Sequence, residues 1–229
     1  MARKKNKVIA LRNTIITFFT VVVILILGVG TYVSTGGSGG EITADEDYRV
    51  IENARALRPD DKIVVKEFFS YACIHCKTFD PVISDWHEDQ ADDVELELVP
   101  ANFSPIWALL AQSYYALENA DALDQNHARI FRALHDAGRQ FLTPEMVGDY
   151  VDGRGLSAEE FVKSFNSPTV RRNLRRAEQE QLKFGVAATP TLVVADKYVL
   201  GMQGGQGRAI EVLNYLVEKV REEQQAQQN

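Results

Sequence analysis

The feature that most restricts the fold of this chain is the segment Cys73-Ile74-His75-Cys76, which holds the only two cysteines among 229 residues. It directly follows Ile63 to Tyr71, a run rich in Val and Phe that is typical of a buried strand. Apolar residues then recur every three or four positions, which predicts a helix from Cys73: Cys76, Phe79, Ile83 and Trp86. A C-x-x-C between a buried strand and a helix predicts a redox site.

The predicted helix start sets the chemistry of the two cysteines. Backbone N–H groups are unpaired at a helix N-terminus and the helix dipole is positive there, so an anion is stabilised. We therefore predict a stabilised thiolate on Cys73, with His75 adding a donor or a positive charge. Cys76 continues the apolar face and points inward. Cys73 is then the sulfur that exchanges with substrate, and Cys76 is the one that resolves the mixed disulfide. A stabilised thiolate on Cys73 also makes the Cys73–Cys76 disulfide a stronger oxidant.

Two other interpretations of the cysteine pair stay open. One is a structural disulfide, although so short a loop constrains the unfolded chain little. The other is a zinc site, which needs about four ligands and would draw the rest from the histidines. These are His75, His87, His127 and His135. The last three lie on predicted helices without matching ligand spacing and are interpreted as surface or core residues, so no metal site is predicted.

The rest of the chain predicts an α/β fold with a helical insertion. Pro after a Ser or Thr marks a helix start, because the hydroxyl caps free N–H groups and Pro fits the first helical position. Such signals predict about five helices between residues 104 and 184: Ser104-Pro105, Thr143-Pro144, Ser167-Pro168, and a capping box at Ser157 to Glu160. The other predicted elements are strands at Tyr48 to Ile51, Val94 to Val99, Thr191 to Ala195 and Tyr198 to Leu200, and a final helix from about Gly207 to Val220.

A buried acid is predicted behind the cysteine pair. Glu67 shares a strand face with Ile63, Val65 and Phe69, so its carboxyl group lies in apolar surroundings. Burial raises the pKa of a carboxyl group, so Glu67 can relay a proton to or from Cys76 during exchange. The alternative is a partly solvated Glu67 paired with a lysine.

Charge is divided unevenly along the chain, whose formal net charge is −7. Five basic residues precede residue 14 and the first acid is Glu41, so the remainder has 20 basic against 32 acidic residues, a net charge of −12. A body this acidic argues against nucleic-acid binding, which needs a concentrated positive field.

An uncharged apolar segment predicts a membrane anchor. Thr14 to Val33 contains 20 residues without a charge, about the length of a bilayer core at ~1.5 Å per residue. A cleaved signal peptide is the alternative, but its apolar region has only ~7–15 residues. The basic residues before the segment predict a cytoplasmic N-terminus and an extracytoplasmic domain.

The predicted organisation has five parts. These are a cytoplasmic basic segment (1–13), an N-terminal transmembrane helix (14–33), a Gly/Ser linker (34–44), an α/β domain (45–222) and a disordered tail (223–229).

Several segments together resemble the DsbA family of thiol:disulfide interchange proteins, and the similarity covers nearly all of the domain. They are Glu67-Phe68-Phe69-Ser70 before the cysteine pair, Ala101-Asn102-Phe103 after the third strand, a helical insertion of matching size, and Gly185 to Pro190 before a strand. The resemblance implies a thioredoxin-like fold with an inserted helical subdomain. It also implies a cis peptide bond at Pro190, which would leave the backbone of Thr189 free to pair with an extended substrate.

The resemblance further implies an oxidoreductase of the bacterial periplasm, here tethered to the inner membrane. Its substrates would be reduced or unfolded exported proteins, and a quinone-linked membrane oxidase resembling DsbB would re-oxidise it. The redox-active disulfide replaces any cofactor. A disulfide isomerase or reductase kept in the dithiol form is the alternative within this class. From a different class, a non-catalytic chaperone or scaffold with a structural disulfide is the competing hypothesis.

Overall fold

A computed structural model describes residues 40–228, and its centre is a five-stranded mixed sheet in the order β1-β5-β4-β2-β3. The strand β2 pairs with β3 in parallel and with β4 in antiparallel orientation, while β5 is antiparallel to both β4 and β1. The strands are β1 (Arg49–Val50), β2 (Ile63–Phe69), β3 (Val94–Pro100), β4 (Thr191–Val194) and β5 (Tyr198–Leu200). The predicted α/β class and the hairpin of β4 and β5 are confirmed.

Seven helices surround this sheet within the described residues, and five of them form the predicted insertion between β3 and β4. They are α1 (Ile74–Glu88), α2 (Pro105–Asn119), α3 (Leu123–His135), α4 (Pro144–Val151), α5 (Ala158–Phe165), α6 (Pro168–Lys183) and α7 (Gly205–Ala226). Four of the five insertion helices start where the sequence predicted. The capping side chains Ser104, Thr143, Ser157 and Ser167 each accept a hydrogen bond from a backbone N–H of the first turn.

Two apolar clusters hold the domain together. One contains Phe68 and Phe69 at the end of β2 and extends into the helical insertion through residues such as Tyr114 and Phe131. The other packs α1 and α7 against the remainder of the sheet. The cysteine pair lies at the end of β2, so it sits where the insertion meets the sheet.

The N-terminal boundary of the domain is earlier than predicted. Ile42 packs against the second apolar cluster, the N–H of Thr43 donates to the Asp47 carboxylate at 3.0 Å, and Ala44 forms a β-bridge with Tyr48. The compact unit therefore begins at Ile42 rather than residue 45.

The disordered tail predicted from residue 223 is wrong up to Ala226, because α7 extends to that residue. Polar contacts, which an apolar pattern does not register, hold its last turns. The Arg221 guanidinium lies 2.7 Å from the Asp93 carboxylate. Buried Gln224 donates from Nε2 to the carbonyls of Arg58 and Asp61 at 2.8 and 2.9 Å.

The predicted span at 14–33, the basic segment before it and most of the Gly/Ser linker lie outside the described residues. Within 40–228, no helix combines the length and apolar character needed to cross a bilayer.

Candidate functional site

The two cysteines occupy the junction of β2 and α1. β2 ends at Phe69 rather than Tyr71, and Cys73 is the N-cap residue of α1 with extended backbone (φ −94°, ψ 117°). Its N–H donates to the carbonyl of Ser70 at 3.0 Å, and its own carbonyl accepts from the N–H of Lys77 at 3.1 Å. Cys73 is half-buried at the helix tip, whereas Cys76 is fully buried one turn later. Both are free thiols.

The surroundings of Cys73 favour its thiolate. A hydrogen bond from the Cys76 thiol is the main cause that lowers the pKa of Cys73 to about 5, against the opposing effect of burial. Contacts with Thr189 and with the backbone N–H groups of Cys76 and His75 lower it further. These N–H groups belong to the first turn of α1, the anion-stabilising end of the helix.

Cys76 has the opposite character. Its hydrogen bond to Cys73 and its burial raise its pKa far above the ordinary value. In the dithiol, the negative charge therefore resides on Cys73, the more exposed sulfur. Because the thiolate is the reactive form, the geometry distinguishes an exchanging Cys73 from an inward-facing Cys76.

The loop before β4 lies directly against Cys73. Gly185 adopts a left-handed conformation (φ 57°) at the end of α6, and the Thr189–Pro190 peptide bond is cis, as the resemblance implied. Antiparallel pairing sets Thr191 of β4 opposite Phe68 of β2, so the start of one strand meets the end of the other. Sγ of Cys73 lies 3.5 Å from the carbonyl oxygen of Thr189 as a result.

Glu67 is buried behind the pair, with only 2% of the residue exposed. Leu98 and Leu192 are its cross-strand neighbours on either side. Burial is the main cause that raises the pKa of Glu67 to about 8, and the negative charges of Asp80 and Cys73 add to it.

The alternative of a solvated Glu67 paired with a lysine is wrong. Lys66, the adjacent lysine, directs its Nζ to Asp196 at 2.9 Å and to Glu180 at 3.2 Å instead. The role of Glu67 as a proton relay stays a prediction.

His75 is exposed beside the pair, and the contribution it makes to the Cys73 thiolate comes from its backbone N–H. That the imidazole of His75 supplies charge beside Cys73 stays a prediction. The side chain borders a cavity of about 360 Å³ whose lining includes Phe79, Thr189, Pro190, Met202 and Gln206. The lining by Thr189 and Pro190 places this cavity beside the loop that contacts Cys73.

Two histidines of α3 contact the cysteine-bearing turn, and sequence reasoning did not assign them to the site. His127 of α3 lies between the hydroxyl of Tyr71 and the carboxylate of Asp80, with Nδ1 and Nε2 each 2.8 Å from its partner. The sequence interpretation of His127 as a surface or core residue misses these contacts. Its position on an amphipathic helix predicts burial but not the partner.

A second histidine of α3 is also bonded to this turn: Nε2 of His135 lies 2.9 Å from the carbonyl oxygen of Tyr71. Within 40–228, no three His, Cys, Asp or Glu side chains are grouped as they would be around a metal ion.

Comparison with known proteins points to one group. A family model described as "DSBA-like thioredoxin domain" matches residues 107–208, which begin after the cysteine pair. The thiol:disulfide interchange protein DsbA of Azotobacter vinelandii is 33% identical over 189 residues, covering 82% of this chain and 88% of the relative. The protein of the same name from Pseudomonas aeruginosa PAO1 is 29% identical over 213 residues, covering 92% and 98%.

Solved structures agree with these sequence matches. The oxidoreductase DsbA from Xylella fastidiosa aligns with a TM-score of 0.73 and 31% identity, over 79% of this chain and 98% of that chain. The crystal structure of Pseudomonas aeruginosa DsbA gives a TM-score of 0.74 and 30% identity, over 79% and 95%.

Proposed function

The chain belongs to the DsbA family of thiol:disulfide interchange proteins and is a thiol:disulfide oxidoreductase, and from this premise we propose that it introduces disulfides into reduced exported proteins. The observation that carries the proposal is the unequal pair at the start of α1. Cys73 has a pKa lowered to about 5 and is partly accessible, whereas Cys76 is buried with a raised pKa.

Exchange proceeds in two steps, with the Cys73–Cys76 disulfide as oxidant. A substrate thiolate attacks Sγ of Cys73, a mixed disulfide forms, and Cys76 leaves as a thiolate. A second substrate thiolate then attacks the substrate sulfur of the mixed disulfide, which forms the substrate disulfide and expels the Cys73 thiolate. Two substrate thiols are oxidised and the enzyme pair is reduced to the dithiol, so the electrons balance.

The direction of exchange follows from the Cys73 thiolate. Stabilising this anion lowers the free energy of the dithiol form, which makes the disulfide more oxidising, and it makes Cys73 a better leaving group from the mixed disulfide. Both effects favour donation of a disulfide to a substrate over its removal.

Glu67 supplies the proton that the buried Cys76 thiolate needs. With its pKa raised to about 8, the carboxyl group is protonated at neutral pH and can act as a general acid. After transfer, the Glu67 carboxylate regains a proton from the solvent before the next cycle.

The Thr189–Pro190 loop binds the substrate next to Cys73. Its backbone lies 3.5 Å from the reactive sulfur, where an extended substrate segment can pair with Thr189 by strand addition. The imidazole of His75, at the rim of the adjoining cavity, adds charge near the developing thiolate.

The dithiol form is re-oxidised by a quinone-linked membrane oxidase resembling DsbB. The domain works in the periplasm, and its own segment 14–33 anchors it to the inner membrane.

Fractionation of cells tests the anchor. The full chain should resist extraction from membranes by alkaline carbonate, and a chain without residues 1–40 should not. Release of the full chain into the soluble fraction contradicts anchoring.

The reduction potential of the Cys73–Cys76 couple tests the proposed direction. The full-length protein in detergent is equilibrated with glutathione buffers and its thiols are trapped. We expect a potential more oxidising than the glutathione pair. A potential near that of thioredoxin, about −270 mV, would instead indicate a reductase or isomerase that needs an electron donor.

Two single substitutions test the assigned roles. Cys73→Ser should abolish oxidation of a reduced peptide without unfolding the protein. With the disulfide form of the same peptide, Cys76→Ser should accumulate a mixed disulfide, because the Cys73 thiolate attacks the peptide disulfide, a peptide thiolate leaves, and no Cys76 thiol is present to resolve the product. Non-reducing electrophoresis detects this species. If Cys73→Ser retains exchange, the assignment of Cys73 is wrong.

A further inference from the structure

The helical insertion contributes a partly buried histidine to the cysteine-bearing region. His127 lies in the middle of α3, and 14% of its side chain is exposed. Its two ring nitrogens contact two different parts of the site: Tyr71 in the turn before Cys73, and Asp80 on α1. A residue distant in sequence thus joins the two elements that flank the cysteine pair.

The two contacts use both nitrogens of the ring. A carboxylate only accepts hydrogen bonds, so Nε2–H donates to Asp80. Burial keeps the pKa of Tyr71 well above its usual range, so its hydroxyl keeps its proton and forms the second hydrogen bond, with Nδ1. One imidazole therefore satisfies both partners.

Asp80 connects this histidine to the buried acid. Its negative charge is one of the causes that raise the pKa of Glu67. The Asp80 side chain is 21% exposed, so without a partner its carboxylate can turn toward water, where the solvent screens it. The hydrogen bond from His127 keeps the charge near Glu67.

Tyr71 connects the same helix to Cys73, which follows two residues later. Its hydroxyl contacts His127, its carbonyl oxygen contacts His135, and its ring lies 5.0 Å from that of Phe131. These three residues of α3 are spaced four apart and form one stripe of the helix. The stripe holds the turn that presents Cys73.

We propose that His127 is a positioning residue for disulfide exchange, which fixes a negative charge near the buried Glu67 through Asp80 and fixes the turn before Cys73 through Tyr71. The inference rests on the proposed function, because it concerns the proton that Glu67 gives to Cys76. It assigns the helical insertion a part in the chemistry of the site.

Few other titratable groups face this network. The groups that act on Glu67 are Asp80 and Cys73, and Tyr114 of α2 faces both Glu67 and the ring of His127. Glu118 of α2 acts on Tyr71 and Tyr114. Both tyrosines have raised pKa values and stay neutral below pH 10, so Asp80 is the charge that His127 controls.

The test is the pH profile of exchange in the full-length protein. The oxidised protein is mixed with reduced glutathione over a range of pH, and the rate of each variant is divided by that of the parent, which removes the titration of glutathione itself. His127→Leu eliminates both hydrogen bonds, whereas the amide of His127→Gln can replace them. Asp80→Asn removes the charge but keeps an acceptor for the histidine.

We expect H127L and D80N to move the Glu67-dependent step to lower pH by about half a unit to one unit, as removal of a nearby like charge does. H127Q should leave the step in place, and H127L added to D80N should shift it no further. An unmoved step in H127L, or equal shifts in H127L and H127Q, would falsify the inference.

If the parent itself does not oxidise glutathione, the proposed function fails instead. Should H127L not fold, His127→Asn, whose shorter side chain cannot join both partners, replaces it.

Discussion

Cys73 and Cys76 are separated by one helical turn, yet the same hydrogen bond lowers the pKa of one and raises that of the other. Such a pair shares one negative charge in the dithiol state, and burial decides which sulfur carries it. The half-buried Cys73 is left with the charge, so reactivity and access coincide at one atom.

Alkylation should report this charge directly. We expect the rate of reaction of Cys73 with iodoacetamide in the reduced protein to rise with a midpoint near pH 5, because its pKa is about 5, rather than near the ordinary value of about 8.5. Cys76→Ala removes the strongest stabilising contact, so its midpoint should be higher. Equal midpoints in parent and variant would contradict the assigned cause.

Glu67 should make the stability of the reduced protein depend on pH. Its folded-state pKa of about 8 exceeds the ordinary 4.5, so the folded form holds a proton that the unfolded form has lost between these values. Stability contributed by this group is complete below about pH 4.5 and declines as the pH rises toward 8.

Glu67→Gln eliminates this dependence. Relative to the parent, we expect the variant to gain on the order of 4 kcal/mol between pH 4.5 and pH 8, since one pKa unit corresponds to ~1.4 kcal/mol. Urea denaturation of the two proteins in reduced form at both pH values measures the gain. A difference that does not change with pH would mean that Glu67 titrates normally.

At the scale of single residues, the sequence predicted the site residues that lie close to the C-x-x-C motif along the chain. Cys73 and Glu67 followed from helix and strand periodicity, and the cis bond at Pro190 followed from a resemblance. His127 and Asp80 were missed because their contact depends on the packing of α3 against α1. A helical pattern shows which face is buried but not which residue it meets.

Among the helices and strands, α7 differs most from its predicted extent, because it continues to Ala226. Its apolar pattern ends at Val220, and the last helical turns are instead held by polar groups that reach the turn before β2. The starts of the insertion helices were predictable because capping is local, whereas this helix end depends on residues more than a hundred positions away.

Gln224→Ala should reveal whether these polar contacts stabilise the domain. The substitution removes two hydrogen bonds to backbone carbonyls from a buried side chain, so we expect a loss of about 1–3 kcal/mol in the free energy of unfolding. Glu222→Ala, in the same turn but exposed, should change it by less than about 0.5 kcal/mol. Equal effects in urea denaturation would indicate that the helix end is frayed.

Across the whole molecule, one buried lysine joins the sheet to the insertion. Nζ of Lys66 in β2 contacts Glu180 of α6 and Asp196 in the β4–β5 turn, and lies 4.0 Å from Glu97 of β3. Sequence periodicity places Lys66 within a buried strand but does not identify these partners, because they come from three separate segments.

Replacing Lys66 by Met should leave the carboxylates without their shared cation. We expect a loss of about 3 kcal/mol at pH 7. Against the opposing effect of burial, hydrogen bonds from Lys183 and Lys66 lower the pKa of Asp196. The stabilisation by Lys66 is therefore lost as the pH falls below about 4, and the difference from the parent should shrink there. Lys183→Met removes a more exposed partner of Asp196 and should cost less than about 1 kcal/mol. A larger effect of K183M than of K66M in urea denaturation would contradict this assignment.

The insertion is one uninterrupted stretch of chain between β3 and β4, an arrangement that suggests a module free to be exchanged by recombination. The bonds from His127 and His135 to the cysteine-bearing turn restrict that freedom. A helical module grafted from another protein would have to bring matching partners for Tyr71 and Asp80. In this chain, the insertion and the segment from Tyr71 to Asp80 are therefore expected to evolve together.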